Sequence, residues 1–295
     1  MTALPLRPLL GALALGLATA AAAEPLIGLT TTNSLLGFDS ASPGTISSVS
    51  ITGLQAGEQI LGIDFRPATQ TLYGLGSSNR LYSLNTATGA ATQIGSAGAF
   101  TLSGTAFGFD FNPTVDRIRV TSNTGQNLRL NPNDGTLAAT DSVLGFAVGD
   151  ANAGTAPRVV GSAYTNSFAG ATTTTLYAID SGLDILATQI PPNNGTLNTL
   201  GPLGFNTADL VGFDISPLSG LSFASLTAPG GASSQLFAIN LATGAATLIG
   251  SIGGAVALAD LATAAPIPEP ETYALMLGGL LAVSAAARRA KRRSA

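Results

Sequence analysis

The chain has 295 residues, 45% of them hydrophobic and only 9% charged, with 36 Gly, 16 Pro and no Cys, His or Trp. Soluble domains average roughly 25% charged residues and about 7% Gly, so this chain is charge-poor and glycine-rich. Without His there is no Ser-His-Asp triad and no imidazole ligand; without Cys there is no thiol nucleophile, disulfide, thiolate-bound zinc or iron–sulfur centre, or c-type haem attachment.

Residues 1–23 read as a secretory signal peptide. Arg7 gives a basic start and Leu9 to Ala18 an apolar run. Thr19-Ala20-Ala21-Ala22-Ala23 then forms a small-residue cleavage region ahead of Glu24-Pro25. That apolar run is about half of the ~20 residues a spanning helix needs. The segment is therefore expected to direct export, with cleavage after Ala23.

Residues 24–264 are expected to form one all-β repeat domain. Leu26 to Thr30, Leu35 to Asp39 and Thr45 to Ile51 are β-rich runs, with Ser42-Pro43-Gly44 as a turn. The next unit has four runs: Ile60 to Phe65, Thr71 to Leu75, Arg80 to Leu84 and Ala91 to Gly95. A Gly–apolar–Asp–apolar–x–Pro motif recurs as Gly62-Ile63-Asp64-Phe65-Arg66-Pro67, Gly108-Phe109-Asp110-Phe111-Asn112-Pro113 and Gly212-Phe213-Asp214-Ile215-Ser216-Pro217. Gly161-Ser162-Ala163-Tyr164 is a worn copy between the last two. The glycines are 46, 53 and 51 residues apart, the length of one four-stranded propeller blade. A longer repeat confirms the period: residues 85–98 and 240–253 agree at 11 of 14 positions. The last two runs of each unit are joined by turns ending in Gly89, Gly135, Gly195 and Gly244, where Gly supplies the positive φ of a short hairpin.

The first unit lacks its opening run, and Val256-Ala257-Leu258-Ala259-Asp260-Leu261 supplies one. The predicted fold is thus a five-bladed β-propeller closed by pairing of the N- and C-terminal strands, which removes exposed sheet edges. A sandwich or β-solenoid of the same strands is the alternative.

Four groups of residues are candidates for chemistry. Asp64, Asp110, Asp214 and Asp260 share one position in the channel-lining run of their units; hard oxygen ligands arranged so would suit Ca²⁺. Otherwise each accepts backbone N–H bonds at its own strand end. Asn131-Pro132-Asn133-Asp134-Gly135 has the alternating oxygens of a calcium loop, but position twelve is Ser142, so it reads as a hairpin turn. Arg117, Arg119 and Arg129 fall in one unit, and the first two share a strand face. They are expected either to bind an anionic sugar or carboxylate or to lie on a solvated outer face paired with Asp116 and Asp134. Tyr73, Tyr82, Phe107, Phe109, Phe111, Phe205 and Phe213 are expected in the core. No Trp is present for sugar stacking, no carboxylate pair is marked for glycoside hydrolysis, and there is no phosphate-cradling Gly-Lys-Ser/Thr loop. From Glu24 to Ile267 there are six Arg, no Lys and fourteen acids, a formal charge of −8. Such a surface repels nucleic acid.

Residues 265–295 carry Pro268-Glu269-Pro270, an apolar stretch from Thr272 to Ala287, and the basic cluster Arg288-Arg289-Ala290-Lys291-Arg292-Arg293. An apolar stretch closed by cytoplasmic cations acts as a stop-transfer element. These three elements in order resemble a PEP-CTERM sorting signal. The resemblance implies a Gram-negative source, handling by an exosortase-type enzyme after signal peptidase, and a transient inner-membrane anchor through 272–287. It also implies delivery to the outer surface or the polysaccharide matrix. The repeat region, roughly Leu26 to Ala262, resembles an uncharacterised bacterial β-propeller-like family that carries the same Gly-Phe-Asp-x-x-Pro signature and has no agreed activity. The expected function is a non-catalytic binding or structural module associated with extracellular polysaccharide, without a cofactor unless the Asp ring holds Ca²⁺. An exported metal-assisted hydrolase or lyase using those Asp residues is the alternative.

Overall fold

Short apolar-alternating runs broken by Gly-, Asn- and Asp-bearing turns cannot bury their faces singly, so they must stack. In the computed structural model, which describes residues 23–264, they form five sheets. Blade 1 contains β1 (Pro25–Thr30), β2 (Ser34–Asp39) and β3 (Ser42–Ser50). Blade 2 contains β4 (Ile60–Arg66), β5 (Thr71–Gly76), β6 (Arg80–Leu84) and β7 (Ala91–Ile94). Blade 3 contains β8 (Phe107–Asn112), β9 (Arg117–Ser122), β10 (Asn127–Leu130) and β11 (Leu137–Thr140). The connection onward carries a short strand, β12 (Gly145–Phe146). Blade 4 follows with β13 (Val159–Tyr164), β14 (Leu176–Asp180), β15 (Ile185–Gln189) and β16 (Thr196–Pro202). Blade 5 contains β17 (Val211–Ile215), β18 (Ser222–Leu226), β19 (Gln235–Ile239) and β20 (Ala246–Ser251).

The last strand, β21 (Leu258–Thr263), closes the ring by pairing antiparallel with β1, Leu26 opposite Thr263 and Gly28 opposite Leu261. The architecture is therefore the predicted five-bladed propeller of four-stranded sheets, with the closing strand displaced two residues beyond the expected start. One feature was not expected. β12 adds in parallel to the outer edge of β16, Gly145 opposite Thr196, which gives blade 4 a fifth strand and covers that edge. A two-residue strand has no periodicity by which a sequence could announce it. Among the described residues, helix is limited to the 3₁₀ turns Pro192–Asn194 and Gly253–Ala255, and no helix is long and apolar enough to cross a membrane. Pro268, Glu269, Pro270, the stretch 272–287 and nearly all of the signal peptide lie outside the described residues.

Four of the five seams between blades are apolar. Leu29 and Leu35 of blade 1 pack on Ile63 and Leu72 of blade 2. Tyr73 and Leu75 of blade 2 pack on Phe109 and Phe111 of blade 3, where the Tyr73 and Phe111 rings meet edge to face at 5.1 Å. Val160 and Ile179 join Phe213 and Phe237 between blades 4 and 5, and Phe223 and Leu236 join Leu26 and Leu258 between blades 5 and 1. Each such side chain, once buried, contributes about 1.5–3 kcal/mol. The remaining apolar cluster lies within blade 4 and the connection leading to it. The seam between the strands of blades 3 and 4 is polar.

A second contact repeats around the ring: the outer hairpin turn of each blade abuts the end of the blade before it. Gly135 (φ +69°) lies so close that a Cβ there would meet the Ile94 carbonyl oxygen at 2.5 Å. Gly135→Ala is expected to lower stability by about 2–4 kcal/mol, combining the left-handed penalty with the clash. Gly57→Ala shares the positive φ (+75°) but opens on empty space, and should lose only about 1 kcal/mol. Denaturant midpoints at unchanged slope measure both, and equal losses would show that the inter-blade contact yields freely.

Candidate functional site

The innermost strand of each blade has one edge facing the channel rather than another strand, so its outward N–H groups need acceptors. The motif aspartates provide them. Asp64 accepts from its own neighbour Phe65 N at 2.7 Å and from Phe111 N of blade 3 at 2.7 Å. Asp214 accepts from Ile215 N at 2.6 Å and from Thr263 N and Oγ1 of blade 1 at 2.6 and 2.7 Å. Asp260 accepts from Leu261 N and from Ile63 N of blade 2, both at 2.8 Å. Asp110 makes one bond, from Tyr164 N of blade 4 at 3.1 Å. Each carboxylate thus ties its blade to the next. The expectation of bonds at each residue's own strand end holds for three of the four and omits the cross-blade half.

The same geometry gathers charge. Oxygens of Asp64, Asp110 and Asp214 all lie within 4.8 Å of one another, and all four carboxylates are at most 4% exposed. Burial pushes Asp64, Asp110 and Asp260 well above the usual carboxylate range, with repulsion from their neighbours adding to it, and pushes Asp214 to about 6. The ring has the donor set for a hard cation, although its oxygens are already engaged as inter-blade acceptors.

The three arginines singled out in the sequence converge elsewhere, on the polar seam. β8, β9 and β10 align Asp110, Arg119 and Arg129 in one cross-strand row, so Arg119 and Arg129 stand directly opposite each other. Like charges so placed repel unless bridged. Asp141, just beyond β11, bridges them: it accepts from Arg119 Nη1 at 2.6 Å and from Arg129 Nε and Nη2 at 2.8 and 2.9 Å. Burial works against the charge of Asp141, but the bonds from Arg129 and Arg119 outweigh it and hold the carboxyl below its usual range. Arg119 is 1% exposed and also donates to Asn127 Oδ1 (2.8 Å), Asn193 Oδ1 (2.7 Å) and the Tyr164 hydroxyl (3.4 Å). Its pairing corrects the solvated-face expectation. Asp116 pairs with Arg66, Asp134 bonds Thr136, and Arg119 lies inside the seam. Among the described residues, Arg117 donates only to the backbone oxygens of Asp116 (2.8 Å) and Val115 (3.5 Å).

Between these groups lies a cleft of about 500 Å³, lined by Asn112, Val115, Arg117, Arg119, Arg129, Tyr164 and Pro191 to Asn194. The neighbouring seam shows why it is open. Arg66, at the fifth motif position of blade 2, bonds Tyr73 of its own blade and reaches across to Asp116 and Asn133 on turns of blade 3. In blade 3 the same motif position holds the shorter Asn112. Its counterpart target, Asn193, is gripped instead by Arg119. The space that Arg66 fills in one seam is empty in the next. Sequence reading missed Asp141, Asn127, Asn193 and Tyr164. Only Tyr164 left a signal, a hydroxyl-bearing ring where other units have Phe65, Phe111 or Ile215.

The fold and site define a five-bladed β-propeller with a carboxylate-stapled channel and one arginine-lined cleft. Residues 34–262 match the family model described as domain of unknown function (DUF4394), and the chain belongs to that family. No curated protein matches it. Among solved structures, a Lactobacillus plantarum structural-genomics protein is 14% identical over 79% of this chain and 67% of its own (TM-score 0.40). A Bacteroides thetaiotaomicron protein of unknown function is 14% identical over 78% and 58% (TM-score 0.45). Kuenenia stuttgartiensis hydrazine synthase is 14% identical over 68% and 52% (TM-score 0.38). The chain thus spans only about half to two thirds of those proteins, and the likenesses carry no activity onto it.

Two outcomes follow from the charge placement. Arg119→Met leaves Asp141, Asn127 and Asn193 short of a buried donor and is expected to destabilise by about 3–5 kcal/mol; a loss below about 1 kcal/mol would show the network is dispensable. For the ring, folding raises each carboxyl above its ordinary 3.8. Its stabilising contribution is therefore complete below that value and is lost as pH rises through about 6 and beyond. Burial opposes the charge of Asp209 as it does that of Asp141, but bonds from Ser181, Asn123 and Arg158 outweigh it. Both carboxyls are thus held low, act in the opposite sense and lose their contribution as pH falls below the usual range. Tm is expected to peak near about pH 4–5 and fall toward pH 8, with Asp110→Asn flattening the fall. Millimolar Ca²⁺ is expected to leave the curve unchanged; a saturable gain in Tm at neutral pH would assign the ring a cation.

Proposed function

We propose that the chain is an exported, non-catalytic binding module acting at the outer surface or in the extracellular polysaccharide matrix, and that it takes an anionic ligand in the cleft between blades 3 and 4. The observation that carries this reading is the departure of one seam from the other four. Three of the six arginines between Glu24 and Ile267 face a single opening, in a domain whose formal charge is −8. Leaving one seam polar forgoes apolar burial worth several kcal/mol, which a purely structural ring has no need to do. The leader and the sorting tail support export, with signal peptidase and an exosortase-type enzyme as processing partners and a passing inner-membrane hold through 272–287. The hydrolase reading draws on the aspartate ring, whose carboxylates are nearly sealed from solvent and committed to inter-blade bonds. That favours the binding reading.

Co-sedimentation of the purified chain with an acidic exopolysaccharide and with a neutral glucan, at two salt concentrations and with or without EDTA, tests this. Binding to the acidic polymer alone is expected, weakened by salt, unaffected by EDTA and reduced by Arg117→Gln. Equal binding of the neutral glucan, or indifference to Arg117→Gln, would move the site away from the cleft.

A further inference from the structure

Resting on the reading of the cleft as the ligand site, we infer that the group it recognises is a single carboxylate carried on a hydroxylated sugar ring: a uronic acid, held by the Nε–Nη2 fork of Arg117 and by Nη1 of Arg129. The donor inventory leads there. All three guanidinium nitrogens of Arg119 are engaged within the seam. Arg129, which lines the cleft, uses Nε and Nη2 on Asp141 and leaves Nη1 without a partner among the described residues. Arg117 is engaged only through Nη1, with backbone oxygens, and leaves Nε and Nη2. The free donors therefore belong to two guanidiniums, whose planar geometry matches the two oxygens of a carboxylate. Asp141 displays that match in the same seam, gripped by Arg119 and Arg129, and it fixes Arg129 before any ligand arrives. A donor held in advance loses less entropy on binding.

Charge density selects among anions. Three arginines against Asp141 leave a small local positive excess, surrounded by a domain of net charge −8. A densely charged polyanion would meet repulsion from the rest of the surface, whereas one carboxylate on a neutral frame would meet little. The remaining lining suits such a frame. The Asn194 amide can both donate to and accept from hydroxyls, and the Asn112 amide N–H can donate while its oxygen accepts from Thr114 N and Oγ1. Val115, Pro191 and Pro192 give a low apolar wall. The volume, about 500 Å³, falls within the ~300–1,000 Å³ of small-molecule sites.

Isothermal titration of the purified chain with glucuronate, an otherwise neutral oligosaccharide carrying one glucuronate, glucose, glucose 6-phosphate and sulfate separates the cases. Both uronates are expected to bind, the oligosaccharide at least as tightly as the monomer, and glucose not to bind. Arg117→Gln and Arg129→Gln should each weaken uronate binding about tenfold or more, with the thermal midpoint of Arg117→Gln unchanged. Arg117→Lys, which keeps the charge and loses the fork, should be clearly weaker than the parent. Parent-like binding by Arg117→Lys, or glucose 6-phosphate or sulfate binding as tightly as glucuronate, would overturn the carboxylate assignment and leave the anion-binding cleft standing. Glucose binding as tightly as glucuronate, or no binding by any of the anions, would overturn both. Exclusion of the oligosaccharide while the monomer binds would overturn a polymer as the source.

Discussion

The backbone N–H groups on the channel edge of each inner strand set the terms for this molecule. A propeller leaves short outer edges and turns the inner edge of each of its five sheets toward the axis, where strands radiate and cannot pair with one another. Here a carboxylate in four of the five blades accepts those N–H groups and ties adjacent blades together: Asp64 to Phe111, Asp110 to Tyr164, Asp214 to Thr263 and Asp260 to Ile63. The arrangement concentrates acid at the axis. A buried carboxylate satisfied by backbone donors still lacks a counter-charge, so the centre of the fold favours protons, while the apolar seams around it supply the compensating stability.

Blade 4 breaks this pattern twice, and both departures concern the same pair of blades. At the position of the ring aspartates it has Ala163, so no ring carboxylate ties blade 4 to blade 5. That seam has the apolar packing of Val160, Ile179, Phe213 and Phe237, with Asp184 accepting from Thr207 N and Asp209 from Ser181 and Arg158. On its other side it replaces apolar packing with Tyr164, Gln189 and Asn193 facing Arg119 and Asn127. Buried polar networks stabilise only when nearly every member is satisfied, and this one approaches that limit. The Gln189 amide donates to Pro192 O at 2.7 Å and Asn127 Oδ1 at 3.3 Å, while its own oxygen is left without a partner.

Much of the fold was legible in the sequence because its causes are local or repetitive. The spacing of Gly62, Gly108, Gly161 and Gly212 reports blade length directly. The positive φ of Gly89, Gly135, Gly195 and Gly244 follows from turn chemistry that one residue type satisfies. The orphan first run near Asp260 implied closure, since a strand without a sheet must find one. The site was legible only in half. Arg117, Arg119 and Arg129 stood out because cations are rare here, but their partners did not. Asp141 lies on a connection, Asn193 on a turn of the next blade and Asn127 on the third strand. No sequence interval relates them, because the ring brings blades together with an offset that depends on packing. β12 was invisible for a related reason: two residues pair with β16 because the 18-residue connection passes that edge.

The ring and the cleft share structural elements. Asp110, Arg119 and Arg129 form one row across blade 3, and Tyr164 touches two members of it, giving its N–H to Asp110 and its hydroxyl to Arg119. The arginine side of the cleft is therefore built on buried strands tied to the axis, and the turn Pro191 to Asn194 forms its other wall. Sites on strands hold their groups more closely in place than sites on loops. Arg119 is immobilised by four partners and in turn fixes Asp141, which fixes Arg129. What reaches solvent is the outer end of a chain of charged contacts that begins at the channel. Arg117 stands at its mouth, tethered only to backbone oxygens and free to adjust to what arrives.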